Sequence, residues 1–442
     1  MAKVIKLRKG LNINLKGVAA PEVASLPLAS EFALVPDDFP GLKPKVLVRE
    51  GDEVKVGDAL FADKLHQEVR FPSPVSGTVS LVERGDRRKL LSVRVKPDGK
   101  QTAREFDTGG DVKSLLLESG LFGFFRSRPY DVTANPEDKP KAIFVSAFNS
   151  MCLAQDFEVA LKGQEKEFQA GIAALAKMAK VHLGVSAEQQ SKALLMARGC
   201  EVTVFDGPAP AGNVGVQINH IDPINKGEVV WTMGAEEVIF VGRLMLTGKV
   251  DLTRVIALAG SEVDAPQYYK ALIGQKISSI VDGKLKATEH VRLINGNPMT
   301  GVKTTGDGFL AAHATEVCAI PEGDNADEFL GWIMPRFSTF STHRSYWSWL
   351  MGNKEYDIDA RVKGGERHMI MSGEYDKVFP MDIYAGYLVK AIITGDIDRQ
   401  EALGIYEVAP EDFAVAEFVC SSKLELQRIV RQGLDTLRKE NA

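Results

Sequence analysis

The chain has 442 residues, of which 45% are hydrophobic and 26% are charged, and its 54 Lys and Arg against 59 Asp and Glu give a net charge of −5. This balance is typical of a soluble globular protein of about three domains, and the lack of a basic block argues against nucleic acid as a partner. The sequence also has no apolar run of the roughly 18 residues that a membrane helix needs, no signal-peptide core and no closely spaced cysteines. Collagen-like, disordered, secreted and integral membrane proteins are therefore not expected.

The first hundred residues predict a small β domain. Short apolar segments are separated by turns at Gly51-Asp52, Gly57-Asp58, Ser76-Gly77 and Gly85-Asp86. Strands spaced roughly 8 to 12 residues apart with such turns are typical of a barrel or sandwich. The pattern resembles the biotinyl/lipoyl-carrier fold, a barrel-sandwich hybrid in which a hairpin lysine carries the prosthetic group. Lys64 is the candidate for that lysine, and the alternative is a plain scaffold in which Lys64 is a solvated turn residue.

After about residue 110, strands alternate with helices. Apolar strand segments at 141–145, 181–185 and 202–205 are separated by segments with helical periodicity. Strands and helices that alternate at this length predict right-handed crossovers and a parallel sheet.

A nucleotide site in such a domain needs glycines after a strand, so that backbone N–H groups can approach phosphate at a helix N-terminus. The segment 146–152, after the first of these strands, contains no glycine. Near residue 120, Phe124 and Phe125 obstruct a second, glycine-bearing segment. The sequence therefore argues against a nucleotide site, although Arg126 and Arg128 could meet an anion.

The remainder of the chain predicts a small α+β unit from about residue 254, then an aromatic segment and a helical tail. Three of the four tryptophans fall between residues 331 and 350, in a mixture of Trp, Phe and Arg that is common at protein interfaces and membrane surfaces. A packed inter-domain loop is an equal alternative. The docking candidates are Trp332, Arg336, Phe340, Arg344, Trp347 and Trp349. In the tail, one helical face is shared by Leu426, Val430, Leu434 and Leu437.

The seven histidines have neither the His-x-His nor the His-Glu-x-x-His spacing of a metal site. His220 could form a polar cluster with Asp222 and Asp206, although histidines in loops are usually solvated.

Taken together, these segments resemble the NqrA family, a subunit of the bacterial Na+-translocating NADH:quinone oxidoreductase, over essentially the whole chain. The resemblance rests on Lys9-Gly10-Leu11 near the start, on the segment 205–212, and on Phe340-Ser341-Thr342-His343-Arg344. No single motif is specific, but their order and spacing are.

The resemblance implies a multidomain α/β protein. It implies a barrel-sandwich hybrid over residues 1–105, a Rossmann-like α/β domain over 106–250, a β-grasp domain of the SLBB type over 251–330, and the aromatic docking segment with a C-terminal helical domain over 331–442.

The family in turn resembles the C subunit of the Rnf complex and the flavoprotein subunit of respiratory complex I. Those relatives have a glycine-rich flavin loop where this chain has Phe122-Gly123-Phe124-Phe125, and Rnf has cluster cysteines where this chain has Cys420 alone. One thiolate cannot hold a four-ligand cluster. The resemblance therefore implies a fold whose flavin, NADH and iron–sulfur sites have been lost.

The resemblance further implies a peripheral subunit on the cytoplasmic face of the bacterial inner membrane, in a complex that oxidises NADH, reduces quinone and exports Na+. Its partners would be the other subunits, chiefly the membrane subunits. No redox cofactor is expected on this chain, whereas NADH, flavins, an iron–sulfur centre and quinone are expected on the complex. Candidate contacts for quinone or another ligand are Arg126, Arg128 and His220.

This chain departs from the family pattern where Ala209, Gln217 and Asn219 replace expected histidines. These replacements weaken any quinone or ligand role for those three positions.

Two other functions stay open on the sequence alone. One is a flavin- or NADH-binding oxidoreductase that acts by itself, which a flavin band in the visible spectrum would support. The other is a lipoyl- or biotin-bearing carrier, which a mass increase lost in Lys64→Arg would support.

Overall fold

A computed structural model describes residues 2–324, 339–342 and 346–441 of the protein. Its first two strands, β1 (Lys3–Lys6) and β2 (Ala20–Ser25), add to sheets that are formed mainly by later residues. Within the described residues, no helix is both long enough and apolar enough to cross a membrane.

The predicted barrel-sandwich hybrid is confirmed. Two antiparallel sheets, in the orders β3-β9-β8-β5 and β4-β6-β7, consist of β3 (Phe32–Leu34), β4 (Pro44–Val46), β5 (Glu53–Val54), β6 (Ala59–Asp63), β7 (Arg70–Pro72), β8 (Gly77–Arg84) and β9 (Leu90–Pro97). Gly51 and Gly57 have φ of +91° and +89°, a left-handed conformation that strains other residues. The carboxylates of Asp52 and Asp58 accept hydrogen bonds of 2.7 and 2.8 Å from backbone N–H groups three residues earlier. Each Gly-Asp pair therefore closes its own turn.

The α/β domain contains a seven-stranded sheet in the order β1-β14-β13-β12-β15-β10-β11. Its strands are β10 (Arg126–Arg128), β11 (Val132–Thr133), β12 (Ile143–Ser146), β13 (Val181–Ser186), β14 (Glu201–Asp206) and β15 (Val230–Gly234), together with β1. Its helices are α1 (Val112–Ser119), α2 (Phe157–Leu161), α3 (Glu165–Leu175), α4 (Lys192–Leu195), α5 (Val214–Ile221) and α6 (Ala235–Thr247).

The five strands from β1 to β15 in this order are parallel, as predicted. At the end of the sheet, β10 pairs antiparallel with both β15 and β11. From β12 the chain proceeds to β13 and β14 on one side and then returns to β15 on the other side. The strand order therefore reverses between β12 and β15, where ligands bind in open α/β sheets of this kind.

The third unit is a six-stranded sheet in the order β19-β18-β20-β16-β17-β2. It contains β16 (Thr253–Ala259), β17 (Gln267–Leu272), β18 (Val291–Asn295), β19 (Val302–Thr304) and β20 (Glu316–Pro321), with one short helix, α7 (Ile277–Val281). The central pair β16 and β20 is parallel, and β2 pairs in parallel with β17.

The C-terminal part contains a 3-10 turn, Trp347–Leu350, an irregular stretch over residues 351–373 and the helices α8 (Glu374–Val378), α9 (Ala385–Thr394), α10 (Ile397–Ala402), α11 (Ala414–Val419) and α12 (Leu426–Glu440). The predicted apolar face of α12 is buried in an apolar cluster that also contains Phe205 and Val216 of the α/β domain. The helical part is therefore packed against that domain.

Candidate functional site

A cleft of about 520 Å³ opens where the α/β domain, the six-stranded sheet and the C-terminal helices meet. Ser146 and Gly234, at the carboxyl ends of β12 and β15, both line it, so the cleft lies at the reversal point of the sheet. Asn297 of the six-stranded sheet domain and Glu411 of the C-terminal part line the opposite walls. Every major unit of the chain thus contributes to one cavity.

Among the described residues, more acidic than basic groups line the cleft. Its basic side chains are Arg126, Arg128 and His313. Its carboxyl groups belong to Asp37, Asp38, Asp131, Glu236, Glu237, Glu316 and Glu411. An acidic lining repels anionic ligands unless some of the carboxyl groups are neutral or paired with arginine.

Arg254 forms the first of two buried arginine clusters. Its guanidinium is essentially inaccessible, Nη2 donates a 2.8 Å hydrogen bond to Glu237 Oε1, and Nε lies 3.4 Å from Glu236 Oε2. Gln155 donates from Nε2 to Glu236 (3.0 Å) and from its backbone N–H to Glu316 (3.2 Å). Three carboxyl groups are therefore held near a single arginine.

The two adjacent glutamates differ in protonation. Burial raises the pKa of Glu236 to about 7, although Arg254 and Gln155 oppose the rise. Burial acts on Glu237 in the same direction, but the charge of Arg254 and the hydrogen bond to His313 outweigh it and hold the pKa of Glu237 at about 2. Glu237 is therefore ionised at neutral pH, whereas much of Glu236 carries a proton.

Arg128 forms the second cluster and is also buried. Its Nη2 donates a 2.9 Å hydrogen bond to Glu411, Nε lies 3.6 Å from Asp131, and Nη1 lies 3.7 Å from Asp412. Burial raises the pKa of Asp412 to about 7 against the pull of Arg128. Burial is outweighed at Asp131, whose pKa is lowered by Arg128 and the neighbouring Arg126.

Carboxylates occupy both helix N-termini at the cleft. A Cβ on Gly234, the N-cap of α6, would overlap Glu237 Oε2, so this carboxylate folds back over the start of its own helix. A Cβ on Gly215, in the first turn of α5, would overlap Asp412 Oδ2, and Asn213 Nδ2 donates a 3.2 Å hydrogen bond to the other oxygen of Asp412. Each helix start thus faces a carboxyl group that the chain itself supplies.

Comparisons with known proteins agree with this architecture. Three family models match the chain: "NqrA N-terminal barrel-sandwich hybrid domain" over residues 5–98, "NqrA second alpha/beta domain" over 108–250 and "NQRA C-terminal domain" over 255–306. The NqrA subunit of the Na(+)-translocating NADH-quinone reductase of Neisseria meningitidis serogroup B is 34% identical, over 99% of this chain and 100% of that protein. The corresponding subunits of Rhodopirellula baltica, 35% identical over 99% and 98%, and Yersinia pestis bv. Antiqua, 34% identical over 99% and 100%, are equally similar.

The chain belongs to the NqrA family. The resemblance predicted from the sequence motifs is thereby confirmed, as is the fold class with its barrel-sandwich hybrid, α/β domain and SLBB domain.

In this member of the NqrA family, two of the three candidate ligand contacts line the cleft. Arg126 is 30% exposed there, with Nη1 3.6 Å from Asp131, whereas Arg128 is enclosed by carboxylates. His220 lies on the last turn of α5 and is not part of the cleft lining. Its Nδ1 is 2.8 Å from the carbonyl oxygen of Val216.

The sequence left open a polar cluster of His220 with Asp222 and Asp206, with a solvated histidine as the alternative. Asp222 pairs with Lys141 at 2.9 Å, and Asp206 lies 4.0 Å from a lysine of β1. Both carboxylates therefore have a lysine as their ion-pair partner in the structure, Lys141 and Lys6.

The docking candidates separate into three groups. Trp347 and Trp349 are 45% and 50% exposed on the 3-10 turn. Phe340 is half-buried, with its ring centroid 5.4 Å from that of Tyr356 and 5.9 Å from that of Phe418. The other candidates lie outside the described residues: Trp332, Arg336 and Arg344.

Lys64 lies on the exposed hairpin between β6 and β7, and its backbone N–H donates a 2.7 Å hydrogen bond to the carbonyl oxygen of Lys43. This is the hairpin on which the carrier resemblance places the modified lysine. Modification of Lys64 stays a prediction.

Sequence reasoning missed the Arg254 cluster. Two signals were present: an arginine inside the apolar strand β16, and adjacent glutamates at the start of the otherwise apolar helix α6. A charged residue inside a buried strand needs a partner, and Glu236 and Glu237 are the nearest acidic residues in an equally apolar segment.

Proposed function

We propose that the chain is a peripheral subunit of a Na+-translocating NADH:quinone reductase, docked on the membrane subunits at the cytoplasmic face of the bacterial inner membrane. The complex would oxidise NADH, reduce quinone and export Na+, while this chain would carry no redox cofactor of its own. The full-length similarity to NqrA subunits of this reductase supports the assignment to the complex. The docking role rests on the exposed aromatic turn.

The docking surface is the turn formed by Trp347, Trp349 and Leu350, which are 45%, 50% and 58% exposed. Large apolar side chains that cluster on a surface usually mark a binding site, and tryptophan is enriched among residues that dominate interface energies. Further exposed apolar residues lie in the same C-terminal part: Val362, Ile370, Met371, Tyr384, Tyr387 and Ile393. Phe340 packs against Tyr356 and so anchors the segment to the domain.

Replacing Trp347 and Trp349 together by alanine should release the protein from membranes that contain the other subunits. Each lost aromatic anchor should cost about 2 kcal/mol of binding free energy, or about 30-fold in affinity. The measurement is the fraction of the protein that sediments with these membranes.

The control is a double substitution of Leu65 and Met196 by alanine, because both are exposed apolar residues on other domains. Thermal unfolding of both variants verifies that the fold is intact. If as much of the tryptophan variant as of the unchanged chain sediments with the membranes, the docking assignment is wrong.

The cleft is the place where this chain would shape quinone access. Arg126 is half-buried in it and can donate hydrogen bonds to a carbonyl oxygen, whereas Arg128 already faces three carboxylates. Apolar walls at Phe148 and Met151 suit an uncharged ring. We therefore propose Arg126 as the quinone contact and assign Arg128 to holding the domains together.

A further inference from the structure

We propose that Glu237, which lines the cleft, and Asp412, which is buried next to the lining residues Glu411 and Asn213, exclude ligands that carry a phosphate group. This inference rests on the proposed function, in which flavin and NADH bind to other parts of the complex, and it deepens that function. Glu237 and Asp412 would keep phosphorylated cofactors out of an α/β fold whose usual ligands carry phosphate.

Helices α5 and α6 are placed like the phosphate-binding helices of nucleotide-binding folds. Both helices follow strands of the parallel sheet, and both begin at the cleft. In folds of this type the phosphate of a nucleotide binds at such a helix N-terminus, because unpaired backbone N–H groups and the helix dipole favour an anion there. The cleft therefore has two places where phosphate would be expected.

At α6, Glu237 fills this place. Its carboxylate lies over the N-cap Gly234, and its other oxygen receives a hydrogen bond from Arg254. Because Arg254 holds the pKa of Glu237 at about 2 against the effect of burial, the group stays charged throughout the physiological range. A phosphate at this position would overlap the side chain of Glu237 and would be repelled by its negative charge.

At α5, the place is filled from the C-terminal part of the chain. Asp412 lies against the first turn of the helix, where a Cβ on Gly215 would overlap it, and is fixed by Asn213. Arg128 stands 3.7 Å from this carboxylate. The exclusion at α5 is chiefly steric, because burial raises the pKa of Asp412 to about 7.

Each carboxylate also neutralises an arginine that would otherwise attract phosphate. Among the described residues, Arg254 Nε and Arg128 Nε and Nη1 are buried without a hydrogen-bond partner. An arginine beside a helix N-terminus is a strong combination for binding phosphate. Removing the carboxyl group of Glu237 or Asp412, and with it the volume that fills each place, should therefore create an anion site.

The test measures phosphate preference in the full-length chain. FMN and riboflavin differ only in the phosphate group, so the ratio of their dissociation constants reports on phosphate recognition alone, and inorganic phosphate serves as a third probe. The variants are Glu237→Ala, Asp412→Ala and the double substitution, because alanine removes the volume of each side chain as well as its carboxyl group. The control is Glu165→Ala, the same chemical change in the exposed first turn of α3.

The unchanged chain and the control should bind FMN no more tightly than riboflavin. The double variant should gain a preference for FMN of about tenfold or more, and inorganic phosphate should compete for it. Where the double variant does not fold, the single variant Glu237→Ala is decisive, because Glu237 is the permanently charged group.

Two results would overturn the inference: a tenfold preference for FMN in the unchanged chain, or no preference in a folded Glu237→Ala or double variant. A different result bears on the proposed function. If the unchanged chain binds FMN and riboflavin equally and tightly, it holds a flavin after all, while the exclusion of phosphate stands.

Discussion

The two buried arginine clusters use the same chemistry over different distances in the chain. Arg254 is paired with Glu237, 17 residues away, and with its neighbour Glu236. Arg128 is paired with Glu411, 283 residues away, and approaches Asp412. The first cluster holds a helix of the α/β domain against the next sheet, whereas the second joins the α/β domain to the C-terminal helices.

This difference predicts which domain junction each arginine stabilises. A buried arginine compensates carboxylates that have lost water, so its removal leaves buried charges without a partner. Losing Arg254 should disturb the junction with the six-stranded sheet, while losing Arg128 should loosen the attachment of the C-terminal helices.

Arg128→Ala should have the largest effect. We expect a loss of about 3 to 5 kcal/mol in the free energy of unfolding, because Asp131 and Asp412 are left buried without this partner. Chemical denaturation measures the loss, and limited proteolysis should show earlier cleavage in the C-terminal part.

Arg254→Ala is the matched comparison, since it removes an equally buried arginine. This substitution should lower the free energy of unfolding by a similar amount, but limited proteolysis should not show earlier cleavage of the C-terminal helices. Equal proteolysis patterns for the two variants would contradict the claim that only the Arg128 cluster attaches the C-terminal helices.

The pH dependence of stability should distinguish Glu236 from Glu237. With a pKa of about 7 in the folded state and 4.5 as its ordinary value, Glu236 keeps its proton between these pH values while the unfolded chain loses it. Stability therefore falls as pH rises through this window, by about 3 kcal/mol at most from this group. Glu236→Gln should flatten the decline, measured by denaturation at pH 5 and pH 7.

Glu237→Gln serves as the control, because its pKa shift has the opposite sign. A pKa of about 2 means that Glu237 contributes stability above pH 4.5 and loses it as pH falls toward 2. This variant should keep the decline between pH 5 and pH 7, part of which also comes from the raised pKa of Asp412. An unchanged decline in Glu236→Gln would show that Glu236 is not the group that holds the proton.

Arg431→Ala should have the smallest effect at the same interface. Arg431 of α12 donates to the backbone carbonyl oxygens of Tyr130 (2.6 Å) and Asp131 (3.1 Å), but its side chain is 25% exposed. Because water can replace part of the lost hydrogen bonding, we expect the free energy of unfolding to fall by about 1 kcal/mol. A loss as large as that of Arg128→Ala would mean that burial is not what separates the two arginines.

Sequence reasoning reached the fold more fully than the site. Gly51-Asp52 and Gly57-Asp58 predict turns because each pair forms its turn with its own neighbours. The Phe124 and Arg126 segment was recognised and does lie at the cleft. A polar cluster of His220 with Asp222 and Asp206 was one of two alternatives on the sequence, and in the structure both carboxylates pair with lysines.

The sequence alone determined the features that depend on nearby residues: the turns of the barrel-sandwich hybrid, the alternation of strands and helices, and the apolar face of α12. The motif order was enough to indicate the family. Only the tertiary structure placed β1 and β2 in the sheets of later domains, because backbone pairing at a sheet edge is not specified by local periodicity.

Only the tertiary structure, too, brought Asp412 against α5 and Glu237 over the start of α6. Turns and helices follow from interactions between residues close in sequence. The partners of a buried charge follow instead from which surfaces lose water together, and that is decided when the domains pack.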